Sequence, residues 1–330
     1  MRPFTYIEPS TIQEALSATK SDAKSSYLGG GTNLVDLMKE DVERPTQLVN
    51  INTLSYTAIT KNDDGGYTLG AMKSNSETAN HPDIRNHYPL LSMTMLSAAT
   101  AQIRNMATNG GNILQRTRCP YFYEVSMPCN KREPGSGCGA LNGMNGNHAI
   151  FGWSESCVAT NPSDMAIALA ALSATVQVIQ PDGNERSIAF ADFHRLPGTE
   201  PEMDNTLQPG ELITAITLPT PKFSKHYYYL KIRERSSYAF AMMSVAAGLE
   251  LEGGNISDVT LVMGAVAHKP WKLLEAEKFL RGKNPTSANF EEAAELALKD
   301  AKPLKHNAYK IEMGKKAIVR SLIQALEREA

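Results

Sequence analysis

The fold is decided by the stretch Tyr27-Leu28-Gly29-Gly30-Gly31-Thr32-Asn33-Leu34, near the start of a chain of 330 residues. It follows a short strand-like segment and leads into a helix-like run over 34–39. Three adjacent glycines allow a ligand to approach the backbone closely, and free N–H groups at a helix start favour a phosphate or pyrophosphate. A glycine turn that binds nothing is also compatible with this stretch alone.

The segments around this turn alternate between helix-like and strand-like patterns. A helix opened by Ser10 is predicted over 11–18, and a mainly helical region is predicted over 75–109. The other predicted elements before a boundary near 222 are strands at 46–51, 58–61, 67–71, 175–180 and 212–218 and a helix at 163–172. Beyond the boundary we predict strands at 227–233, 240–251 and 256–266, then helices at 271–281, 289–299 and 308–329. Strands followed by helices indicate an α+β layer.

Composition excludes several classes of protein. Hydrophobic residues make up 42% of the chain and charged residues 21%, which is ordinary for a globular protein. A net charge of -2 with scattered basic residues argues against a nucleic-acid partner. The longest apolar stretch, 165–179, is interrupted by polar residues and is too short for a membrane span. The first residues contain no apolar core of signal-peptide length, so we expect no signal peptide in this chain.

Two further motifs carry polar groups at turns. The first is Gln102-Ile103-Arg104-Asn105-Met106-Ala107-Thr108-Asn109-Gly110-Gly111-Asn112-Ile113, which is either a ligand-binding turn or a helix C-cap with polar neighbours. The second is Thr160-Asn161-Pro162-Ser163-Asp164, in which Ser163 or Asp164 either caps the next helix or approaches a ligand.

These motifs, with Lys231-Ile232-Arg233-Glu234-Arg235-Ser236-Ser237-Tyr238-Ala239, resemble the FAD subunit of the xanthine dehydrogenase and carbon monoxide dehydrogenase family over essentially the whole chain. The resemblance implies an α+β protein. An FAD-binding PCMH-type domain of two α/β subdomains would cover 1–222. A C-terminal domain of the carbon monoxide dehydrogenase flavoprotein type, with a three-stranded antiparallel sheet and helices, would cover 223–330.

The resemblance also implies the residues that contact FAD. The first glycine loop would hold the pyrophosphate, and the second motif would line the opposite side of the cofactor. No general acid, base or nucleophile is expected, because the cofactor carries the redox chemistry. The implied FAD contacts are Tyr27, Leu28, Gly29, Gly30, Gly31, Thr32, Asn33, Leu34, Ala98, Arg104, Thr108, Gly111, Asn112, Asp164, the backbone near Ile213, Lys231 and Tyr238.

All four cysteines, Cys119, Cys129, Cys138 and Cys157, lie in one region of the chain. Most of that region, from 117 to about 147, shows no helical or strand period, and so long a loop needs something other than a core to hold it. A disulfide framework is more typical of small secreted domains, so a metal site or cluster is favoured. The spacing lacks the short Cys-x-x-Cys pairs of zinc ribbons and bacterial ferredoxins. Structural zinc and free or oxidised thiols remain alternatives.

The runs Arg116-Thr117-Arg118-Cys119-Pro120-Tyr121-Phe122-Tyr123 and Pro128-Cys129-Asn130-Lys131-Arg132 resemble the periplasmic aldehyde oxidoreductase subgroup of the family. That resemblance implies a four-iron four-sulfur (4Fe-4S) cluster on the four cysteines, in a loop inserted at about 117–157. The benzoyl-coenzyme A reductase branch has a comparable insertion. The basic residues Arg116, Arg118, Lys131 and Arg132 either offset the cluster's charge or form a solvated face. His148 and His268 form no metal-ligand spacing and are interpreted as structural.

The resemblance implies an electron-transfer subunit in a heterotrimer. Its partners would be a molybdenum-cofactor subunit, which oxidises aldehydes or related substrates, and a subunit with two 2Fe-2S clusters. Electrons would reach an external acceptor such as ferredoxin or a quinone-type carrier. The alternatives are an NAD-reducing xanthine dehydrogenase FAD subunit and a nucleotide-binding module with a zinc-stapled loop. The location is either the periplasm, by export with a partner, or the cytoplasm.

Three adjacent aromatic residues, Tyr121, Phe122 and Tyr123, lie in the cysteine loop. We expect them to be exposed and to anchor a partner subunit. The alternative is that they pack beneath their own loop.

Overall fold

A computed structural model describes residues 1–22 and 24–328. The first part of the chain forms a three-stranded parallel sheet in the order β1-β3-β2. The glycine loop lies at the carboxyl end of β2, the edge at which open parallel sheets bind ligands. The elements are β1 (Thr5–Ile7), α1 (Ile12–Ser21), β2 (Ser25–Leu28), α2 (Leu34–Lys39) and β3 (Gln47–Asn50).

Helix α1 begins one residue later than the predicted opening at Ser10. Thr11 is the N-cap, because its side chain accepts a hydrogen bond from the backbone N–H of Glu14 at 3.2 Å. Ser10 instead donates its backbone N–H to the Glu14 carboxylate at 2.7 Å. The two residues therefore share the capping of one helix start.

The second part is a five-stranded antiparallel sheet, β4-β5-β8-β6-β7, with short helices. The mainly helical region predicted at 75–109 is confirmed, but it is divided because Pro82 and Pro89 each begin a new helix. The elements are β4 (Ile59–Lys61), β5 (Tyr67–Gly70), α3 (Asn75–Asn80), α4 (Pro82–His87), α5 (Pro89–Ser97), α6 (Ala101–Met106), α7 (Asn109–Ile113), α8 (Pro120–Tyr123), α9 (Gly139–Asn142), α10 (Asp164–Ala171), β6 (Thr175–Ile179), β7 (Glu185–Ala189), α11 (Phe190–Phe193) and β8 (Leu212–Leu218).

The last part is an antiparallel sheet covered by three helices. Its described strands number four rather than the predicted three, in the order β12-β11-β10-β9. The extra strand arises because Trp271 and Lys272 pair with Met263 and Val262, which delays the helix predicted at 271 to Leu274. The elements are β9 (His226–Ile232), β10 (Met243–Glu252), β11 (Asn255–Gly264), β12 (Trp271–Lys272), α12 (Leu274–Leu280), α13 (Ser287–Leu298) and α14 (Tyr309–Leu326). The predicted end of the last helix, Glu329, lies outside the described residues.

The last sheet is buried on both faces, which explains the nearly continuous apolar run in β10. Side chains alternate between the faces of a strand. Val245 and Leu249 pack in the core beneath helices α12, α13 and α14. Ala246 and Val262 belong to the core that the five-stranded sheet and α10 share. The α+β class is therefore confirmed, and the packing joins the last sheet to the second part of the chain. None of the described helices is long and apolar enough to cross a membrane.

Candidate functional site

A cavity of about 1180 Å³ lies where the three parts of the chain meet. Its volume is somewhat above the range of roughly 300–1,000 Å³ that is usual for small-molecule sites, so it suits a large ligand. The three glycine and polar motifs contribute to its wall, as does the segment after β9. The predicted contact residues that line it are Tyr27, Leu28, Gly29, Gly30, Gly31, Thr32, Asn33, Leu34, Ala98, Arg104, Thr108, Gly111, Asn112, Asp164, Lys231 and Tyr238.

Ile213 is the predicted contact that the structure places elsewhere. It lies in β8, pairs with Val178 of β6 and is buried in the shared core. The cavity wall includes the nearby Glu211 instead. The contact expected from the backbone near Ile213 therefore stays a prediction.

The glycine loop presents several backbone donors to the cavity. Within the described residues, no acceptor is found for the backbone N–H groups of Gly30, Gly31 and Thr32. The side-chain amide nitrogen of Asn33 is also buried without a partner among those residues, while its oxygen accepts a hydrogen bond from the N–H of Arg116 at 2.8 Å. Consecutive free N–H groups in a turn form an anion-binding concavity. The loop is therefore suited to a phosphate or pyrophosphate.

The first glycine loop contacts the second motif directly. A Cβ atom on Gly30 would overlap the carbonyl oxygen of Met106, and one on Gly29 would lie 3.1 Å from Oγ1 of Thr108. Gly31 has a φ of 72°, a conformation that favours glycine. Glycine is therefore required at position 30 because two backbones meet there.

Several polar residues of the second motif are committed to internal hydrogen bonds. The side-chain oxygen of Asn112 accepts from Ser163 at 2.7 Å, and its nitrogen donates to Asn75 at 2.6 Å. Arg104 donates to the carbonyl oxygen of Ala98 at 2.6 Å. These residues line the cavity, but their described hydrogen bonds fix the shape of its wall.

Asp164 forms a buried ion pair in the cavity wall. Its carboxylate lies 2.7 Å from Nζ of Lys231 and accepts a hydrogen bond from the hydroxyl of Tyr229. Burial raises the pKa of Asp164, an effect that the positive charge of Lys231 opposes. Burial beside this carboxylate also raises the pKa of Tyr229. The pair joins α10 to β9 and therefore links two parts of the chain across the cavity.

Sequence reasoning did not place Arg118 or Phe240 in this site. Both line the cavity, and the Arg118 guanidinium carbon lies 4.9 Å from the centre of the Phe240 ring. Among the described residues, Arg118 donates to the oxygens of Arg116 and Gln115 and has no carboxylate partner. Burial lowers its pKa, although Tyr123 and Asp36 oppose that effect. The cavity thus contains a cation able to meet an anionic ligand.

The four cysteines line a second, much smaller cavity. All four are free thiols. The backbones of Cys129 and Cys138 pair in an isolated antiparallel β-bridge. Thr117 and Cys119 line both this cavity and the large one, so a single layer of residues separates the two. Across residues 1–22 and 24–328, no three His, Cys, Asp or Glu side chains form a group that could hold one metal ion.

Two histidines predicted to be structural contact the cysteines. Nε2 of His148 lies 3.2 Å from Sγ of Cys119, and Nε2 of His268 lies 3.2 Å from Sγ of Cys157. Burial lowers the pKa of His148 to about 4 and that of His268 to about 3. The partners are 29 and 111 residues apart in sequence, so no local pattern could reveal these contacts.

Three of the basic residues near the cysteines point inward, which contradicts the solvated-face alternative for them. Arg116 and Lys131 contact Asp204 at 2.7 and 2.5 Å. Burial raises the pKa of Asp204, but these two cations outweigh it and hold the pKa at about 2. Arg132 donates to backbone carbonyl oxygens of residues 121, 122, 125 and 127 and so ties that part of the loop together.

Among the three loop aromatics, the expected exposure is wrong for Phe122. Phe122 is fully buried against Leu37, Val42 and Cys129, and Tyr121 and Tyr123 are half-buried. Phe122 therefore packs on residues that follow the glycine loop as well as on Cys129 of its own loop, and a partner contact of the two tyrosines stays a prediction.

Comparison with known proteins gives two family matches. The FAD binding domain in molybdopterin dehydrogenase matches residues 2–221, and the carbon monoxide dehydrogenase flavoprotein C-terminal domain matches residues 228–325. The chain is 43% identical to the aldehyde oxidoreductase FAD-binding subunit PaoB of Escherichia coli (strain K12), over 98% of this chain and 99% of that protein. It is 27% identical to the glyceraldehyde dehydrogenase medium chain of Sulfolobus acidocaldarius, over 85% and 82%.

A solved structure supports the same architecture. The chain superimposes on a chain of carbon monoxide dehydrogenase from Hydrogenophaga pseudoflava with a TM-score of 0.77, 22% identity and coverage of 100% and 99%. At this identity the likeness concerns the fold alone.

Proposed function

The chain belongs to the family of FAD-binding subunits of molybdopterin dehydrogenases, and we propose that it carries electrons between FAD and a 4Fe-4S cluster in an aldehyde-oxidising molybdenum complex. The observation that supports this most directly is the shared wall of the two cavities. Cys119 and Thr117 face both the large cavity and the cysteine cavity.

The residues of the large cavity fit FAD. The unpaired N–H groups of the glycine loop and the buried amide nitrogen of Asn33 supply donors for a pyrophosphate. Arg118 adds a positive charge, and the aromatic rings of Tyr238 and Phe240 line the same cavity. When bound, FAD supplies the redox chemistry, and the protein supplies position and electrostatics.

The protein residues hold the cofactor between parts of the chain. The ion pair of Asp164 and Lys231 fixes α10 against β9, so the two sides of the cavity keep a constant separation. The contact of Gly30 with Met106 fixes the two glycine motifs against each other. Such a preformed cavity lowers the ordering cost of binding a long, flexible ligand.

The second part of the proposal is that Cys119, Cys129, Cys138 and Cys157 hold the 4Fe-4S cluster. It is supported by four free thiols that line one small cavity and by the resemblance of the loop to the aldehyde oxidoreductase subgroup. The four thiolates of such a cluster bind different iron atoms, so they need not converge on a single point. Lys131 and Arg116 lie in the same loop, and the carboxylates of Asp204 and Glu43 balance their charges.

The proposed partners are a molybdenum-cofactor subunit and a 2Fe-2S subunit. The name of the 43% identical relative describes an FAD-binding subunit of an aldehyde oxidoreductase, and another relative is called a medium chain. Electrons would leave toward an external acceptor such as ferredoxin or a quinone-type carrier. We propose export to the periplasm together with a partner, with the cytoplasm as the alternative.

The proposal is tested by expressing the chain with its candidate partner subunits and recording the visible spectrum anaerobically before and after adding an aldehyde. We expect flavin bands above a broad iron-sulfur absorption, both of which bleach with aldehyde. A complex that lacks flavin, or whose flavin stays oxidised while the molybdenum subunit is active, contradicts the proposal.

A further inference from the structure

Two of the four cysteine sulfurs have a histidine beside them. Cys119 faces Nε2 of His148 and Cys157 faces Nε2 of His268, each at 3.2 Å. This distance is within the range of a hydrogen bond to sulfur. No histidine contacts the sulfur of Cys129 or Cys138 in the described part of the chain, so the arrangement is asymmetric.

A metal-bound thiolate can only accept a hydrogen bond, which places the proton of each contact on Nε2. Nδ1 of His148 and Nδ1 of His268 are buried and have no hydrogen-bond partner among the described residues. The sulfur is therefore the polar partner that each ring has there. A ring that carries its proton on Nε2 donates to a thiolate, and a metal-bound cysteine is a thiolate.

The histidines are held in place by their own backbone. The carbonyl oxygen of His148 accepts hydrogen bonds from Nζ of Lys310 at 2.9 Å and from the amide of Asn307 at 3.1 Å. Beside His268, the carbonyl oxygen of Ala267 accepts from the N–H of Asn161 at 2.9 Å. These bonds anchor the first ring to α14 and its preceding turn, and the second to the segment before α10.

We propose that His148 and His268 are positioning residues that donate Nε2–H hydrogen bonds to Cys119 and Cys157 and raise the reduction potential of the cluster that the cysteines hold. The inference rests on the proposed function, because it presupposes the cluster. Hydrogen bonds to the cysteine sulfurs stabilise the more negative, reduced state of an iron-sulfur cluster. Since Cys119 also lines the large cavity, one of the two bonds lies on the wall shared with FAD.

The test compares variants of the full chain, purified anaerobically with its partner subunits. His148→Leu and His268→Leu remove the donor at similar size, and His148→Gln and His268→Gln can still donate. The matched control is His194→Gln, because His194 is buried but contacts the carbonyl oxygen of Ile113 rather than a sulfur. Iron and FAD content are measured, and an electron paramagnetic resonance redox titration gives the midpoint potential. The signal that disappears in Cys138→Ser identifies the cluster.

We expect full iron and a lowered midpoint potential in each Leu variant, a smaller shift in each Gln variant and the wild-type potential in His194→Gln. Full iron with an unchanged potential in both Leu variants overturns the inference and leaves the cluster intact. If the Leu variants lose iron, the test is pulsed electron paramagnetic resonance of the wild type labelled with ¹⁵N-histidine. Coupling between the cluster spin and a histidine nitrogen supports the hydrogen bonds, and the absence of coupling refutes them. A wild type without iron contradicts the proposed function itself.

Discussion

Nζ of Lys231 lies 2.7 Å from Oδ2 of Asp164, and the two side chains are 5% and 6% exposed. The pair connects β9 of the last sheet to the first residue of α10 in the wall of the large cavity. A buried carboxylate that loses its ion-pair partner keeps its desolvation cost, so this pair is sensitive to the loss of one member.

Replacing Lys231 by Met leaves Asp164 buried with the hydroxyl of Tyr229 as its remaining side-chain partner. We expect a loss of about 3–5 kcal/mol in the free energy of unfolding, measured with urea, and a partial recovery when Asp164→Asn is added. The control is Lys222→Met, which breaks the exposed pair with Asp258 and costs under about 1 kcal/mol. Equal losses of unfolding free energy in Lys231→Met and Lys222→Met would refute the structural role of the buried pair.

Replacing Gly30 by Ala forces a Cβ atom into the carbonyl oxygen of Met106. The two glycine motifs must separate, so we expect FAD to be lost. Gly183→Ala is the control, because Gly183 lies in a turn with a φ of 88° and its Cβ would meet no atom within 4 Å. FAD per chain is measured by absorbance. Stoichiometric FAD in a folded Gly30→Ala protein would show that the loops need not touch.

Replacing Arg118 by Met removes a cation of the cavity wall that has no carboxylate partner among the described residues. Hydrogen bonds to charged groups contribute about 1.5–3 kcal/mol, so we expect the Kd for FAD to rise about 10- to 100-fold. Arg195→Met is the control, because Arg195 pairs with Glu200 outside the cavity. Flavin fluorescence during titration of each apoprotein with FAD gives the Kd of Arg118→Met and that of Arg195→Met. An unchanged Kd in Arg118→Met would exclude Arg118 from the FAD site.

His194 gives a pH dependence of stability. Burial lowers the pKa of His194 to about 4, partly opposed by the bond to Ile113 and the charge of Asp204, with Lys269 lowering it further. An unfolded histidine has a pKa of about 6.5, so the unfolded state binds a proton that the folded state does not as the pH falls from about 6.5 to about 4.

The free energy of unfolding should therefore decrease as the pH falls from about 6.5 to about 4. His194→Gln should reduce the slope of this free energy against pH by about 1.4 kcal/mol per pH unit. Urea unfolding at several pH values measures the slope. The outcome that contradicts this account is an identical pH slope in wild type and variant.

The sequence predicted the parts of the site that are local in the chain. The glycine loop, the second motif and Asp164 each sit at a turn whose residue types indicate a ligand or a helix cap, and all of them line one cavity. The sequence could not predict contacts between distant segments. Phe240 meets Arg118 and His268 meets Cys157 only after the last part of the chain packs on the loop, and His148 meets Cys119 only when the loop folds back on itself.

The same reason explains two wrong expectations. Trp271 begins a strand rather than a helix because Met263 pairs with it and Phe151 stacks on its ring at 4.9 Å. Phe122 is buried rather than exposed because it packs against Leu37 and Val42, which follow the glycine loop in sequence. In each case contacts with residues distant in sequence determine the local structure or burial, which the local pattern alone does not predict.

The central claim is that one chain carries both FAD and a 4Fe-4S cluster. The most direct measurement is iron, acid-labile sulfide, zinc and FAD per chain in anaerobically purified wild type and in the four single Cys→Ser variants. We predict four irons and one FAD in the wild type, and lowered iron with retained FAD in Cys119→Ser, Cys129→Ser, Cys138→Ser and Cys157→Ser, because the glycine loop contains no cysteine and Cys119 alone of the four lines the flavin cavity. Zinc without iron in the wild type, or full iron in all four variants, would contradict the claim.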